Sequence, residues 1–480
     1  MGFEIGKIRR YLWAIFIMAC AVAIGLGIHA SATAIHNRRE SREGALFLTS
    51  YLENGKIAAA RNLSEVRLLK EQADVTAHSG YFTIDKNLGS HLFFLFVRAQ
   101  EDSHTAPLLL WLQGGPGKSS LFGQFLDNGP LGIDATGRLY RRLPTIQKNM
   151  NIIYLDEPVG AGFSYTEDPR GYVKTIGQMS EAMEKFLQQF LSMFPEFKNH
   201  DFYIAGESYG ARATVGISHL LQTTNPDEVP LKLRGVICGV GFLGPILDTM
   251  DSTQFLFYSG MLDERGAQLF SERFQLLRNL VRSNATAALG LLTQTIGAAR
   301  GPRSRHTLFQ NLTGYNSHSS AIVEDTPDEF KQFYKFAATP EFKRAFHVDE
   351  DRVLDAQREI VTFNLAHQDM LADISDRLQD LLNDQRVLLY TGQMDTLFPA
   401  ANLEKYFKSL SWDGAAEFRN ATRKPWYTRC EPRRFAGYVT SVRNMKYVQV
   451  ARAGHHAAFD EPAAVYDMMD RFVGNGRPSC

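Results

Sequence analysis

The stretch DFYIAGESYGARATVGISHLL, which begins at Asp201, constrains the fold more than any other part of the sequence. Its apolar first part predicts a strand, its last part predicts a helix, and a G-x-S-x-G motif centred on Ser208 joins them. Glycines on both sides of Ser208 allow a sharp turn that leaves the hydroxyl exposed at the end of the strand. The helix that begins at this turn helps to stabilise negative charge. The stretch therefore predicts a nucleophilic serine at the edge of an α/β sheet.

Two downstream residues are candidates for activating this serine, because a hydroxyl is a poor nucleophile unless a base takes its proton. Asp395 follows the strand-like run RVLLYTG, and His455 follows the strand-like run MKYVQVARAG. Ligands and catalytic groups of α/β sheets gather at strand ends, where both residues are expected. The chain order serine, acid, histidine is the order of α/β-hydrolases. The sequence therefore predicts a catalytic triad of Ser208, Asp395 and His455.

Strands and helices alternate along most of the chain, which indicates a largely parallel sheet with crossover helices. The runs SGYFTID and HLFFLFVRA predict a hairpin before this alternation begins. Between about Ile246 and Asp373 the alternation stops and apolar residues recur at helical spacing, which predicts a helical cap insertion. We therefore expect an α/β-hydrolase fold, with a mostly parallel central sheet flanked by helices. The predicted organisation is a signal peptide or anchor at 1–34, an N-terminal leader at 35–75, core at 76–245, the cap at 246–373 and core again at 374–480.

The glycine-rich stretch WLQGGPGKSS follows another predicted strand and superficially matches a phosphate-binding loop. Such a loop requires a glycine where this chain has Leu112. Pro116 also lacks the amide N–H that would contact a phosphate. We therefore interpret the amides of Gly114 and Gly115 as oxyanion donors beside Ser208.

The N-terminus has the layout of a secretory signal peptide. Basic residues precede an apolar run from Tyr11 to Ile28, and the small residues ASATA follow. The run is long enough that an uncleaved membrane anchor is the competing interpretation. Four N-x-[ST] sequons predict N-linked glycans on a secreted or lysosomal chain. Their asparagines are Asn62, Asn284, Asn311 and Asn420.

The composition limits which partners and cofactors are expected. Lys plus Arg and Asp plus Glu each number 52, so the net charge is zero and nothing favours nucleic acid. Cys238 lies in an apolar strand and is interpreted as a buried thiol, whereas Cys430 and Cys480 can pair only if their Cα atoms approach closely. The sequence contains no Cys/His cluster and no H-E-x-x-H motif, so we expect no metal and no cofactor.

Five segments resemble the signature regions of serine carboxypeptidases: WLQGGPGKSS, DEPVGAGFSY, GESYG, YTGQMDTLFP and AGHHAAFDEP. The resemblance runs from about Ser79 to Phe472. Gln113, where most relatives have asparagine, and the segments LFQNLTGYN and WDGAAEFRNATRKPW resemble the vitellogenic carboxypeptidase-like branch. The resemblance implies a serine-type carboxypeptidase that removes C-terminal residues from peptides or proteins through an acyl-enzyme.

The resemblance also implies a role for each residue of the reacting centre. Ser208 is the nucleophile, His455 is the base and Asp395 orients the base. The amides of Gly115 and Tyr209 are the oxyanion donors.

A second group of residues is implied to bind the C-terminal carboxylate of the substrate. Gln113, the Gly114 amide and Glu207 contact it, with Asp127 behind them. An acid beside a bound carboxylate repels it unless one of the two is protonated. A protonated Glu207 donates a hydrogen bond, so we expect acidic pH to favour binding.

Several positions near these motifs depart from the family pattern. Arg212 stands where lysine is common, and Lys118 stands where cysteine is common. Gly210 and Ala211 reverse the usual order, and Ala458 replaces a common proline. None of these departures removes a member of the triad.

Two alternatives use the same scaffold. In an acyltransferase or esterase, the acyl-enzyme passes its acyl group to an alcohol instead of water; a catalytically inactive homologue serves as a binding or stabilising partner. The presence of Ser208, Asp395 and His455 argues against the second. A homodimer is left open, and no stable membrane insertion is expected once the signal is cleaved.

Overall fold

The fold is built on a mixed sheet of eleven strands within the residues that the structure describes. The computed structural model describes residues 44–297, 306–366, 368–429 and 433–474. The predicted signal segment, Cys430 and Cys480 lie outside the described residues. The strands are β1 (Ala77–Asp85), β2 (Ser90–Val97), β3 (Leu108–Leu112), β4 (Leu131–Ile133), β5 (Leu139–Arg141), β6 (Asn151–Leu155), β7 (Tyr165–Thr166), β8 (Asp201–Glu207), β9 (Lys232–Gly239), β10 (Val387–Gly392), β11 (Lys424–Tyr427), β12 (Phe435–Val442) and β13 (Met445–Val450).

The centre of the sheet is parallel and its two ends are antiparallel. The order is β1-β2-β6-β3-β8-β9-β10-β13-β12-β11, with β7 paired to β2 and a separate β4-β5 hairpin. The six strands from β6 to β13 are parallel, and the predicted hairpin of β1 and β2 is antiparallel. The predicted mostly parallel sheet is therefore confirmed. Because parallel strands share one direction, the residues that follow β3, β8, β10 and β13 emerge at one edge.

Helices cover the sheet and occupy the long segment between β9 and β10. They are α1 (Thr49–Glu53), α2 (Ile57–Leu63), α3 (Arg67–Ala73), α4 (Ile176–Met193), α5 (Tyr209–Thr223), α6 (Ile246–Thr249), α7 (Thr253–Tyr258), α8 (Glu264–Leu280), α9 (Ala285–Ile296), α10 (Leu308–Thr313), α11 (Asp328–Ala337), α12 (Pro340–Ala345), α13 (Arg358–Ala366), α14 (Ser375–Asp384), α15 (Ala400–Ser409), α16 (Ala415–Asn420), α17 (Ala457–Asp460) and α18 (Pro462–Val473). In the described ranges, no helix has the length and apolar character needed to cross a bilayer.

Two apolar clusters lie on the two faces of the sheet, which explains why β3 is apolar at every position. In β3, Leu108, Leu110 and Leu112 belong to one cluster, while Leu109 and Trp111 belong to the other. A strand that is covered on both faces reads as a continuous apolar run rather than an alternating one. The run PLLLWL thus becomes a fully buried strand.

The segment that precedes β1 also packs against the core. Leu48, Ala60, Val66 and Leu69 are fully buried. Backbone hydrogen bonds join Leu48 N to Tyr81 O and Val66 N to Ala77 O, at 2.9 Å each. The division of the chain into leader, core and cap remains a prediction, and the residues from Ala45 to Ala73 are integral to the packing.

Candidate active site

Ser208 occupies the tight turn between β8 and α5. Its backbone angles, φ 57° and ψ −122°, are rarely adopted by residues other than glycine. The adjacent glycines allow close approaches: a Cβ on Gly206 would lie 2.3 Å from Gly210 O, and one on Gly210 would lie 2.2 Å from Leu112 O. The Ser208 amide donates to Gly239 O at 2.9 Å, which ties the turn to the neighbouring strand. The strand–turn–helix geometry that the motif predicts is therefore present, with Ser208 partly exposed.

Asp395 and His455 meet at the ends of two adjacent parallel strands. His455 Nδ1 donates to Asp395 Oδ2 at 2.9 Å, and Asp395 is fully buried. Asp395 Oδ1 accepts from the amides of Leu397 and Phe398 at 2.8 and 2.9 Å, so the carboxylate has a fixed orientation. The amide of His455 donates to Ser319 O at 2.7 Å. The imidazole is thus held through Nδ1, and the other ring nitrogen, Nε2, is available to accept a proton.

The turn after β3 lies directly beside Ser208. A Cβ on Gly114 would approach Ser208 Cβ to 2.7 Å and Ser208 Oγ to 3.2 Å. Gly115 has φ +126°, a conformation that favours glycine. In the described part of the chain, neither the Gly115 amide nor the Tyr209 amide donates a hydrogen bond, and Ser208 Oγ has none to His455. Such catalytic contacts often form only when substrate binds.

A cluster of buried carboxyl and amide groups lies next to the nucleophile. Tyr390 OH donates to Glu207 Oε1 at 2.7 Å, and Gln113 Nε2 donates to Asp127 Oδ2 at 3.1 Å. Gln113 Oε1 accepts from the Gly114 amide at 3.2 Å. Four side chains in these contacts are buried, namely those of Gln113, Asp127, Glu207 and Tyr390. The structure therefore brings together the four residues predicted to bind a carboxylate, although the Gly114 amide is engaged by Gln113.

The surroundings of this cluster favour protonated carboxyl groups. Burial raises the pKa of Glu207 to about 7, against the opposing effects of the Tyr390 hydrogen bond and the charge of His455. Burial also raises the pKa of Asp127 well above its usual value, and the neighbouring charge of Glu207 adds to this. The Arg142 guanidinium acts in the opposite direction on Asp127. At acidic pH, at least one of these carboxyl groups is therefore a hydrogen-bond donor.

Sequence reasoning missed residues that position the turn and the cluster. Asp156 Oδ1 accepts from Ser119 Oγ at 2.6 Å and from the Ser120 amide at 2.8 Å. Asp355 Oδ1 accepts from the Ser119 amide at 2.8 Å. Asp156 lies in the motif DEPVGAGFSY, so the sequence indicated that this segment matters. It did not indicate which residues Asp156 would bind. Tyr390 has no such signal, because it sits within the apolar run RVLLYTG.

The arrangement has the parts that covalent acyl transfer requires. It provides a hydroxyl on a strained turn, an imidazole paired with a carboxylate, and two amides beside the hydroxyl. Among the described residues, no group of three or more His, Cys, Asp or Glu side chains is placed to hold a metal ion.

Comparisons with known proteins agree with this chemistry. The sequence model of the family described as serine carboxypeptidase matches residues 68–475. A venom serine carboxypeptidase of Apis mellifera is 32% identical over 433 residues, covering 90% of this chain and 91% of that protein. A vitellogenic carboxypeptidase of Aedes aegypti is 31% identical over 440 residues, covering 91% of each. The solved structure of the prohormone-processing carboxypeptidase Kex1Δp of Saccharomyces cerevisiae has a TM-score of 0.71 at 20% identity, covering 87% of this chain and 95% of that chain, and so shows the shared fold.

Proposed function

The chain belongs to the serine carboxypeptidase family and is a serine-type carboxypeptidase, and we propose that Ser208, His455 and Asp395 perform its reaction. The hydrogen bond from His455 Nδ1 to Asp395 supports this triad, and the observation that carries action at the chain end is the buried Glu207–Tyr390 pair next to Ser208. A protonated carboxyl group at this place suits recognition of a substrate that ends in a carboxylate. An internal peptide bond carries no negative charge and would gain only a weaker hydrogen bond from this group, so the cluster supports cleavage at the chain end.

Each residue has one task in the proposed reaction. His455 Nε2 takes the proton of Ser208 Oγ as the oxygen attacks the carbonyl carbon of the last peptide bond. Asp395, bonded to Nδ1, stabilises the imidazolium that results. The amides of Gly115 and Tyr209 stabilise the negative charge on the carbonyl oxygen. His455 then protonates the leaving amine, the C-terminal amino acid departs, and water releases the acyl group by the reverse sequence.

We infer that the enzyme works best at acidic pH. The Tyr390 hydroxyl donates to Glu207 Oε1, which leaves the proton of a neutral Glu207 on Oε2. A carboxyl group with a pKa of about 7 keeps that proton in acidic compartments and loses it above neutrality. Binding of a free C-terminal carboxylate should therefore weaken as pH rises through about 7.

The assignment of the nucleophile is tested by covalent labelling. An organophosphonate should modify Ser208, and Ser208→Ala should lose both labelling and hydrolysis of blocked dipeptides. Peptide mapping identifies the modified residue. A phosphonate adduct on another serine, or hydrolysis that survives in Ser208→Ala, would overturn the assignment.

We also propose that the chain follows the secretory route to a secreted or lysosomal destination. The signal-like N-terminus supports this, and the four sequon asparagines Asn62, Asn284, Asn311 and Asn420 are all exposed. Protein from eukaryotic cells should start near Ile35 and should gain mobility after N-glycosidase treatment. Retention of Met1 to Ile28 in membrane fractions would support the anchor instead, and an unchanged mobility would contradict glycosylation.

A further inference from the structure

A buried ion pair contacts the residue that follows the nucleophile and has no part in the reaction described above. Asp369 and Arg212 have side-chain exposures of 1% and 0%. Arg212 Nε donates to Asp369 Oδ2 at 2.8 Å, and Arg212 Nη2 donates to Asp369 O at 2.8 Å and to Ala372 O at 3.1 Å. Burying two charges is costly unless they are paired and hydrogen-bonded. Here Arg212 Nε and Nη2 are bonded, whereas the buried Nη1 has no partner among the described residues.

The same carboxylate holds the residue that follows Ser208. Tyr209 OH donates to Asp369 Oδ2, and this contact is buried. Asp369 Oδ1 also accepts from the Ile176 amide, at the start of α4, at 3.1 Å. One side chain from the segment between α13 and α14 therefore joins the starts of α4 and α5. Tyr209 is the residue of the site that Asp369 contacts, and the Tyr209 amide is one of the two proposed oxyanion donors.

We propose that Asp369 is a positioning residue for the carboxypeptidase reaction, because it fixes the Tyr209 side chain and thereby the direction of the Tyr209 amide. This inference rests on the proposed function of Ser208 and of the two amides. The Ser208 backbone is strained, so the turn adopts its geometry only where the surroundings hold it. Gly239 O holds the turn from the strand side. Asp369 holds it from the helix side.

The charges that face Asp369 are consistent with a fixed carboxylate. Arg212 supplies the positive charge, and Tyr209 and the Ile176 amide supply neutral donors. Glu157 is the other carboxyl group nearby, and burial and the charge of Asp369 raise its pKa well above the usual value. A neutral Glu157 adds no second negative charge beside Asp369.

The physical consequence concerns the transition state more than the bound substrate. An oxyanion donor acts on charge that develops during attack, so a small error in its direction lowers kcat and leaves KM nearly unchanged. Complete loss of such a donor costs about 100- to 1,000-fold in kcat. A misdirected donor should therefore cost about tenfold or more.

Two variants test the inference. Tyr209→Phe removes only the hydroxyl and keeps the amide, and Asp369→Asn keeps the shape of the side chain but loses its charge. Both should lower kcat for blocked dipeptides about tenfold or more, with KM changed less than about threefold. A peptidyl trifluoromethyl ketone, whose bound form carries an oxyanion, should lose affinity in parallel with kcat.

Asp467→Asn is the matched control. Asp467 is a buried carboxylate that accepts from Arg429 Nε at 2.7 Å and from Trp426 Nε1 at 3.1 Å, away from the proposed reaction. It should lower the unfolding midpoint as Asp369→Asn does, without changing kcat at a temperature where all variants are folded.

The outcomes separate the inference from the proposed function. If Tyr209→Phe and Asp369→Asn keep the kcat and the ketone affinity of the unmodified enzyme, Asp369 is only structural and the inference is wrong. If Ser208→Ala remains active, the proposed function itself fails. If Asp369→Asn does not fold, the result for Tyr209→Phe alone decides, because this variant leaves the ion pair in place.

Discussion

Gln113 illustrates how a single side chain shapes the proposed carboxylate site. Glutamine is one methylene longer than asparagine. The added length lets one carboxamide reach both the Gly114 amide, at 3.2 Å, and Asp127 Oδ2, at 3.1 Å. A substrate carboxylate that accepts a hydrogen bond from the Gly114 amide must therefore displace the Gln113 oxygen. The second N–H of Gln113 Nε2 can turn to the substrate.

Gly210 lies where the start of α5 approaches the backbone of β3. A Cβ at position 210 would lie 2.2 Å from Leu112 O and 3.0 Å from Gln113 C, which are both backbone atoms. Backbone atoms of a buried strand cannot move aside as the end of a flexible side chain can. With this backbone, a Cβ at position 210 would force the start of α5 away from β3.

Gly210→Ala should destabilise the protein by about 1–3 kcal/mol or more and should abolish hydrolysis, because the helix start must move away from Ser208. Gly290→Ala is the control, since Gly290 lies inside α9 and a Cβ there would have no atom within 4 Å. This second change should stabilise the protein by about 0.5–1 kcal/mol. Thermal unfolding measures both, and equal midpoints for the two variants would contradict the account of Gly210.

At the scale of helices and strands, the sequence predicts the elements that depend on a local pattern of residues. It does not predict contacts between segments that are distant in the chain. The apolar runs before Gln113, Ser208, Asp395 and His455 all become parallel strands, as predicted. The strand β12, which lies between β13 and the edge strand β11, was not predicted, because its apolar residues are interrupted by Gly437 and polar positions.

The contacts that shape the site join residues far apart in the chain. Tyr390 and Glu207 are 183 positions apart, and Asp369 and Tyr209 are 160 apart. No local pattern encodes such pairs. The triad could be proposed because each member follows its own strand, whereas Tyr390 and Asp369 became visible only once the strands and helices were packed together.

For the whole molecule, the parallel order of the central strands decides where the chemistry occurs. β3, β8, β10 and β13 lie within one parallel region, so the turn with Gly115, the serine, the aspartate and the histidine all reach the same edge. The helical segment between β9 and β10 contributes Asp369 and Asp355 to the support of this edge. The site therefore depends on both parts of the fold, and we propose that the carboxyl cluster gives it its preference for chain ends.

The measurement that tests this account most directly is the pH dependence of kcat/KM for a blocked dipeptide and its amide, in the unmodified enzyme, Glu207→Gln and Glu207→Ala. For the unmodified enzyme, kcat/KM on the free acid should fall as pH rises through about 7, because Glu207 loses the proton that it donates. Glu207→Gln keeps a donor at every pH and should flatten this fall.

Glu207→Ala removes the donor altogether, and a hydrogen bond that involves a charged group contributes about 1.5–3 kcal/mol. Its kcat/KM on the free acid at acidic pH should therefore drop roughly ten- to a hundredfold, and the amide should lose much less. If Glu207→Ala reduced the acid and the amide equally, and Glu207→Gln left the pH profile unchanged, recognition of the C-terminal carboxylate would not reside in this cluster.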